Sequence, residues 1–246
     1  MKIWENFIED TEKIIPSDVQ CEIKMINSID SLTRFANSHI HQNVEEEMTD
    51  LYLTFHSDGK TTNLNFNITS LGSIDEVVKK ALSEIANNPK DSSWPGLASK
   101  ENSYDGFKKL SPENPDLRAQ KVKDFIDQGG SFNGAGYCSS NVSNVFVWNT
   151  NGLSSSDTAT SAFLDGIFRS ETSSGSSHLG HKTLENIDGE KVGQEAYSIA
   201  KESQNPQDID PGVYEVILGP DAVSTISVSY THLRAHETEA DLVCRL

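Results

Sequence analysis

The chain contains little cysteine and no long apolar run, and each shortage excludes a class of protein. Its three cysteines, Cys21, Cys138 and Cys244, are far apart and odd in number, so the sequence offers neither a disulfide framework nor a CxxC metal site. No segment approaches the ~18 consecutive apolar residues that a membrane-spanning helix requires. Acidic residues interrupt positions 1–15, where a secretory signal peptide needs an apolar core. We therefore expect a cytoplasmic protein that does not contact a membrane.

Basic residues are also scarce. The 246 residues include 20 Lys and Arg against 37 Asp and Glu, which gives a formal net charge of −17. Direct binding to nucleic acid depends on clustered Lys and Arg side chains that neutralise phosphates, and the sequence contains no basic run. We therefore expect no direct nucleic-acid partner, and we interpret the acidity as a contribution to solubility.

Alternating apolar residues predict strands in the first part of the chain. Residues 21–26 alternate in this way, and residues 31–44 predict a further strand and a turn. Residues 51–68 alternate on both sides of Asp58-Gly59, a dipeptide that is typical of two-residue hairpin turns. The pattern therefore predicts a β-hairpin at 51–68.

One amphipathic helix follows at residues 74–86. A capping box of Ser73 and Glu76 marks its start. Its apolar stripe at helical spacing consists of Ile74, Val77, Val78, Ala81, Leu82 and Ile85. Residues 87–115 contain four of the eight prolines and have no periodicity, so we predict a linker, with bounds at 91–112.

The second half mixes helices and strands. We predict a helix at 116–128, followed by strands at 131–140, 144–150 and 158–168 with a turn at Asn151-Gly152. A flexible loop is predicted at 173–182, and a helix at Gly189–Glu202 with Asp188 as its cap. A buried strand at 211–220 and the start of another helix at 221 complete the pattern. The predicted fold class is therefore α+β, a two-unit chain with antiparallel or mixed sheets flanked by helices.

Histidine pairs supply candidate metal ligands. His39 and His41 share one face of a predicted strand, which suits either metal ligation or hydrogen bonding across a hairpin. His178 and His181 lie three residues apart in a segment rich in Ser and Gly. Zinc sites use three or four protein ligands, and the sequence identifies no further ligands for either pair. We interpret His178 and His181 as solvated loop residues and favour hydrogen bonding for the first pair.

Two other strings could be mistaken for sites. Residues 129–136 are glycine-rich but lack both the G-x-G-x-x-G pattern and a following helix, so they predict a tight turn into a strand. The acidic run at 45–47 is typical of a solvated strand edge.

The C-terminal segment contains one more pair, His232 and His236, spaced i, i+4 as in H-E-x-x-H zinc hydrolases. Glu237 follows the second histidine, so the order of the residues departs from that motif. The surrounding string "VSYTHLRAHET" resembles a peptide translated from a sequencing adaptor. We interpret the pair as an accident of that string and expect neither packing nor metal there.

Several longer strings together resemble the TldD/PmbA family, whose members were once called modulators of DNA gyrase. The resemblance covers about residues 20–226. The parts of the sequence that resemble the family are "SLTRFANSHIHQNV", the hairpin and helix after it, "SPENPDLRAQKVKDFI", "VFVWNTNGLSSSDTATSAF", "IDGEKVGQEAYSIAKES" and "PGVYEVILGPDAVSTI".

The resemblance implies a cytoplasmic peptidase that cleaves unfolded or small peptides inside a dimeric chamber. The dimer consists of two like chains, or of one metal-bearing and one metal-free chain. In metal-bearing members, an H-E-x-x-x-H helix follows soon after the stretch that matches Val213–Ile226, and a later cysteine completes the zinc site. That motif is absent here. We therefore expect no catalytic, cofactor-binding or metal-binding residue in this chain, and no peptidase activity from the chain alone.

The same resemblance implies a domain division. It assigns 1–90 to the family's N-terminal domain, 91–112 to a linker, 113–226 to the middle domain and 227–246 to a non-native tail, with the C-terminal metallopeptidase domain missing. Three alternatives stay open: a truncated zinc metallopeptidase that keeps the domains forming the chamber and dimer, a piece of the metal-free partner subunit that binds peptide, and an unrelated α+β binding module.

Overall fold

The computed structural model describes residues 2–68 and 74–235, and a seven-stranded β-sheet is its largest element. The strands are β1 (Gln20–Ala36), β2 (His39–Ser57), β3 (Lys60–Asn67), β4 (Asp105–Gly106), β5 (Asn133–Asn149), β6 (Ser154–Arg169) and β7 (Ser174–His181). The helices are α1 (Lys2–Ile14), α2 (Ile74–Ile85), α3 (Pro115–Ile126), α4 (Gly189–Glu202) and α5 (Pro220–Ala235).

Four long strands form the centre of the sheet. The strand order is β3-β2-β1-β5-β6-β4, and β7 also pairs with β6. Neighbouring strands are antiparallel, apart from the short β4, which runs parallel to β6. The 17 residues of β1 span about 55 Å at ~3.3 Å per residue. A strand of this length has room for two separate helix layers along one face.

Tight turns connect the first three strands. Asn37 and Ser38, between β1 and β2, have φ values of 50° and 60°, while Asp58 and Gly59, between β2 and β3, have 50° and 74°. Positive φ at both central residues is the geometry of a type I′ turn, whose twist matches that of the flanking strands. The structure therefore confirms the predicted hairpin at Asp58-Gly59.

The predicted helices are confirmed with small changes at their ends. α2 and α3 each end one or two residues earlier than predicted, and α4 has the predicted bounds. The Asp188 carboxylate caps α4 by accepting a 3.0 Å hydrogen bond from the backbone N–H of Lys191. Ser73 lies outside the described residues, so the capping box of α2 stays a prediction. α1 is a helix that was not predicted.

The prediction of a flexible loop at 173–182 is wrong, because β7 occupies most of that segment. β7 pairs with β6 along its whole length, and α4 packs closely over it. A Cβ atom on Gly175 would lie 2.2 Å from the backbone nitrogen of Ala200, and Ser177 is buried. The small residues that suggested flexibility are therefore required by a close contact between a helix and a strand.

Two hydrophobic cores lie on the same face of the sheet, towards opposite ends of the long strands. Core A joins α1 and α2 to the sheet; its strand residues include Cys21, Ile23, Met25, Leu51, Leu53, Phe55, Phe146 and Trp148. Core B joins α3 and α4 to the sheet; its strand residues are Phe35, Cys138, Ala162, Leu164 and Phe168. The strand registers place both sets on one face, which we call the covered face. The opposite side is called the open face.

Residues 207–235 belong to a second unit, which is described separately from residues 2–68 and 74–206. The predicted buried strand at 211–220 is wrong: these residues form no strand up to the start of α5, and Val213 and Ile217 are fully exposed. The prediction rested on an apolar string alone, and nothing in the sequence identifies what would cover it. The predicted helix after it is confirmed as α5.

One sheet connects the segments that were assigned to separate domains. β1 from residues 1–90 pairs with β5 from residues 113–226 over fourteen residues, from Glu22↔Asn149 to Phe35↔Gly136. The domain boundaries themselves stay a prediction. Among the described helices, none has the length and apolar character needed to cross a bilayer.

Candidate functional site

A band of polar side chains separates the two cores on the covered face. We call this band the polar gap; it consists of Asn27, Glu47, Thr49, Asn144 and Thr158. These residues come from β1, β2, β5 and β6, so the gap crosses four neighbouring strands. Apolar residues occupy both ends of this face, and the polar gap offers a place where the covered face can receive a polar ligand.

Hydrogen bonds connect the polar gap into one chain. The Asn27 Nδ2 group donates to Glu47 Oε1 at 3.0 Å and to Thr49 Oγ1 at 2.9 Å. Asn144 Nδ2 lies 3.5 Å from Asn27 Oδ1, and the Thr158 hydroxyl donates to Asn144 Oδ1 at 2.9 Å. A carboxylate can only accept hydrogen bonds. Glu47 therefore fixes the direction of the amide of Asn27, and Asn27 fixes that of Asn144.

A cavity of about 260 Å³ opens at the side of the polar gap next to core A. Its polar lining is Asn27, Glu47, Thr49 and Asn144, and its apolar lining is Met25, Ile68, Phe107 and Phe146. Phe107 comes from the segment after β4, and its ring lies 5.5 Å from that of Phe146. A concave site with an apolar wall and a few convergent polar groups is the usual form of a ligand pocket.

Arg118 lies beyond the gap, beside core B, and is almost completely buried. Its guanidinium donates to neutral oxygens: Thr33 Oγ1 at 3.4 Å, Asn43 Oδ1 at 3.2 Å, Ser140 Oγ at 3.4 Å and the backbone oxygen of Glu113 at 3.0 Å. Desolvation lowers the pKa of Arg118 below its ordinary value. Because its donors contact β1, β2 and β5, Arg118 attaches α3 to three strands. The sequence places an arginine in an ordinary helix and gives no signal of this role.

The two histidines of the first pair have different surroundings. A β-bulge between Arg34 and Phe35 leaves His41 without a directly opposite residue on β1, so regular alternation stops there. His39 Nδ1 lies 2.6 Å from the backbone oxygen of Asn37, within its own turn. This hydrogen bond is local to the turn and does not cross the hairpin.

His178 and His181 lie on β7 and not on a loop. The ring of His178 stacks on Phe163 at 5.6 Å, on the open face of the sheet. Within residues 2–68 and 74–235, no three His, Cys, Asp or Glu side chains are close enough together to hold a metal ion. The described donor set therefore does not fit a zinc ion.

The glycine-rich string and the acidic run form the local structure that the sequence indicated. Residues 129–136 form a turn at Gly129 and Gly130 followed by β5, as predicted. The acidic run lies where β2 is the edge of the sheet, because β3 pairs only with residues 50–57. The side chain of His232 and all of His236 and Glu237 lie outside the described residues.

A further contact network was not predicted from the sequence. The rings of His56 and Trp94 stack at 4.7 Å, and His56 Nδ1 lies 2.9 Å from the hydroxyl of Thr61. That hydroxyl donates to Asp91, whose pKa is lowered by hydrogen bonds from Ser93 and Thr61. The network fixes the linker after α2 against the end of β2 and β3.

The open face carries no helix from residues 2–68 and 74–202. In its middle, Asp30 stands directly opposite Glu46, and Leu32 opposite Val44. A shallow depression of about 450 Å³ covers these four residues together with Arg34, Gln42, Ser139 and part of Ser31. The open face therefore mixes exposed apolar side chains with charges of both signs.

Solved structures with this arrangement identify the fold. A candidate modulator of a DNA gyrase from Thermotoga maritima is 18% identical, with a TM-score of 0.64 over 85% of this chain and 50% of its own. A second such protein, from Bacteroides thetaiotaomicron, is 13% identical, with a TM-score of 0.67 over 85% and 51%. TldE from Thermococcus kodakarensis is 20% identical, with a TM-score of 0.57 over 80% and 47%. The fold is that of the TldD/PmbA family.

The TldD/PmbA-type fold confirms the resemblance that the sequence strings indicated, and the sheet flanked by helices confirms the predicted α+β class. No protein-family model and no curated protein matches the sequence. The chain spans about half the length of the TldD/PmbA-type structures that it matches.

Proposed function

We propose that the protein binds peptides as part of a dimeric TldD/PmbA-type metallopeptidase in the cytoplasm. In this proposal the described residues shape the peptide chamber and contact the partner chain. The partner is a second copy or another TldD/PmbA-type chain. The observation that supports the proposal most directly is the fold match over 85% of the chain.

The zinc ion of such a peptidase would be held by residues other than the described ones. Within 2–68 and 74–235, no group of three metal-binding side chains comes together, and zinc sites require three or four ligands. We therefore assign no step of peptide hydrolysis to these residues. Both a zinc-bearing parent and a metal-free partner subunit would use them in the same way, to bind peptide and to complete the dimer.

The open face supports the role in assembly. Tyr52, Val44 and Met48 are exposed there, close to the charged residues Asp30 and Glu46. Interfaces between proteins commonly combine such aromatic and apolar side chains with a polar rim. This mixture suits a partner chain better than bulk solvent, because monomeric proteins expose few large apolar patches.

Sedimentation velocity tests the assembly. We expect a dimer at micromolar concentration, or a complex with a separately purified zinc-bearing TldD/PmbA-type chain. Met48→Lys on the open face should weaken that assembly, whereas Lys79→Ala on the exposed surface of α2 should not. A protein that stays monomeric and does not bind the zinc-bearing chain at any concentration would contradict the proposed role.

A further inference from the structure

We propose that the 260 Å³ cavity beside the polar gap binds a lysine or arginine side chain of a peptide. The proposal rests on the proposed peptide-binding function and specifies which peptides the protein prefers. Three observations support it: the charge of Glu47, the aromatic wall of the cavity and the size of the cavity.

The carboxylate of Glu47 provides a negative charge whose position is set by a hydrogen bond. Its Oε1 atom accepts the hydrogen bond from Asn27, and Asn27 is held in turn by Thr49 and Asn144. Within the described part of the chain, the second carboxylate oxygen, Oε2, has no hydrogen-bond or ion-pair partner. A carboxylate that is oriented by its surroundings but keeps one free oxygen is suited to accept a charge-assisted hydrogen bond from a cation.

No protein cation competes for this carboxylate among the described residues. The described ion pairs are Lys13–Asp10, Lys79–Asp75, Lys80–Glu84 and Lys123–Asp127, and all of them lie within single helices or at their ends. The neighbouring acidic side chain on the covered face, Glu45, accepts a hydrogen bond from Ser31. Together with the net charge of −17, this local excess of negative charge favours a cationic ligand.

The aromatic wall suits the same ligand. Phe107 and Phe146 line the cavity that Glu47 also lines. Aromatic faces attract ammonium and guanidinium groups, and the methylene stems of Lys and Arg pack well on apolar surface. A side chain that enters the cavity can therefore place its stem against the rings and its charge at Glu47.

The size of the cavity limits the ligand. Pockets for whole small molecules usually measure about 300–1,000 Å³, whereas this cavity measures about 260 Å³. It therefore accommodates one long side chain, and the rest of the peptide would lie outside it along the polar gap.

Two glutamates provide a matched experiment. Glu47 lies on the covered face beside the cavity, whereas Glu171 is exposed in the loop between β6 and β7, outside both the polar gap and the open-face surface. Glu47→Gln and Glu171→Gln change the net charge equally, and the amide oxygen introduced by Glu47→Gln can still accept from Asn27, so the polar gap stays intact. The probes are two blocked heptapeptides that are identical except for a central lysine or norleucine, since norleucine lacks only the ammonium group. Isothermal titration calorimetry on the full 246-residue chain measures their Kd values.

We expect the wild type and Glu171→Gln to bind the lysine peptide about tenfold more tightly than the norleucine peptide, the usual size of one charged hydrogen bond. Glu47→Gln should bind both peptides equally. Binding of both peptides without discrimination by the wild type, or discrimination that survives Glu47→Gln, would overturn the inference and leave the peptide-binding function standing. If neither peptide binds to the wild type, the inference and the proposed function both fail.

Discussion

Burial controls the chemistry of single residues in this protein, and the thiols show it most directly. Cys21 belongs to core A and Cys138 to core B, and both are fully buried. Desolvation raises the pKa of each thiol from 9.0 to about 12. A thiolate is the reactive form of cysteine, so both residues are expected to be inert in the folded protein.

Thiol labelling tests this expectation. In a Cys244→Ser variant at about pH 8, below the ordinary thiol pKa, the folded protein should react with a disulfide reagent very slowly, and two thiols should react quickly once guanidinium unfolds the chain. The raised pKa values also imply a loss of stability at high pH. Their contribution is complete below pH 9.0, the unfolded value, and is lost as the pH rises towards about 12. Fast labelling of the folded protein would contradict the burial.

The apolar stripe of α2 leads to a second prediction about single residues. Spacing alone gives Val78 and Leu82 equal weight, but Val78 is 1% exposed while Leu82 is only partly buried. Val78→Asp should therefore lower the free energy of unfolding by on the order of 3 kcal/mol or more, because an unpaired carboxylate is costly to bury. Leu82→Asp should cost less, because its side chain can reach water. Chemical denaturation measures the free energy of unfolding of both variants. Equal losses would mean that α2 turns a different face towards the sheet than the structure shows.

At the scale of elements, glycines set how closely the helices pack. α3 and α4 meet where a Cβ atom on Gly193 would lie 2.7 Å from the backbone oxygen of Phe125, and one on Gly189 would lie 2.3 Å from that of Lys121. Backbone atoms cannot move aside as the end of a flexible side chain can. The two helices therefore approach each other at a distance that only glycine permits.

Substitution at this contact should separate the helices. Gly193→Ala gains about 1 kcal/mol of helix propensity, but we expect the forced displacement of α4 to cost about 1–3 kcal/mol and to exceed that gain. The exposed neighbour Gln194→Ala provides the control, since it adds helix propensity without a clash. If Gly193→Ala melts at a higher temperature than Gln194→Ala, the close contact between α3 and α4 is not present in solution.

The sequence predicted elements well where periodicity and packing agreed. The hairpin at Asp58-Gly59 and the helices α2, α3 and α4 are of this kind, because a local turn signal or an apolar stripe determines each of them. It failed where a distant partner decides the outcome. β7 looked like a loop because of its small residues, which the close packing of α4 requires. Residues 131–140 and 144–150 looked like two strands, but β5 continues through residues 141–143 because it pairs with β1 and β6 along that stretch.

The candidate site was hidden for a similar reason. Glu47 was visible as part of an acidic run, but only the register of β1, β2 and β5 brings it to Asn27 and Asn144. Phe107 comes from a linker with no periodicity. No spacing within the sequence places these residues in one cavity, so a resemblance to known strings could indicate the fold but not the site.

At the scale of the whole molecule, one sheet joins two cores, and each core has its own pair of helices. The polar gap between the cores and the open face behind them supply two surfaces of different character. We propose that peptide binds to the first and a partner chain to the second. Neither assignment requires a metal ion held by the described residues.

The central claim is that this chain binds peptides without cleaving them, and one measurement tests it most directly. An unstructured casein-derived peptide is incubated with the purified 246-residue chain, with and without added Zn²⁺. Calorimetry then measures binding, and mass spectrometry measures the integrity of the peptide. We predict a bound peptide that remains intact under both conditions. Zinc-dependent cleavage that a chelator abolishes and that persists through stringent purification would contradict the claim.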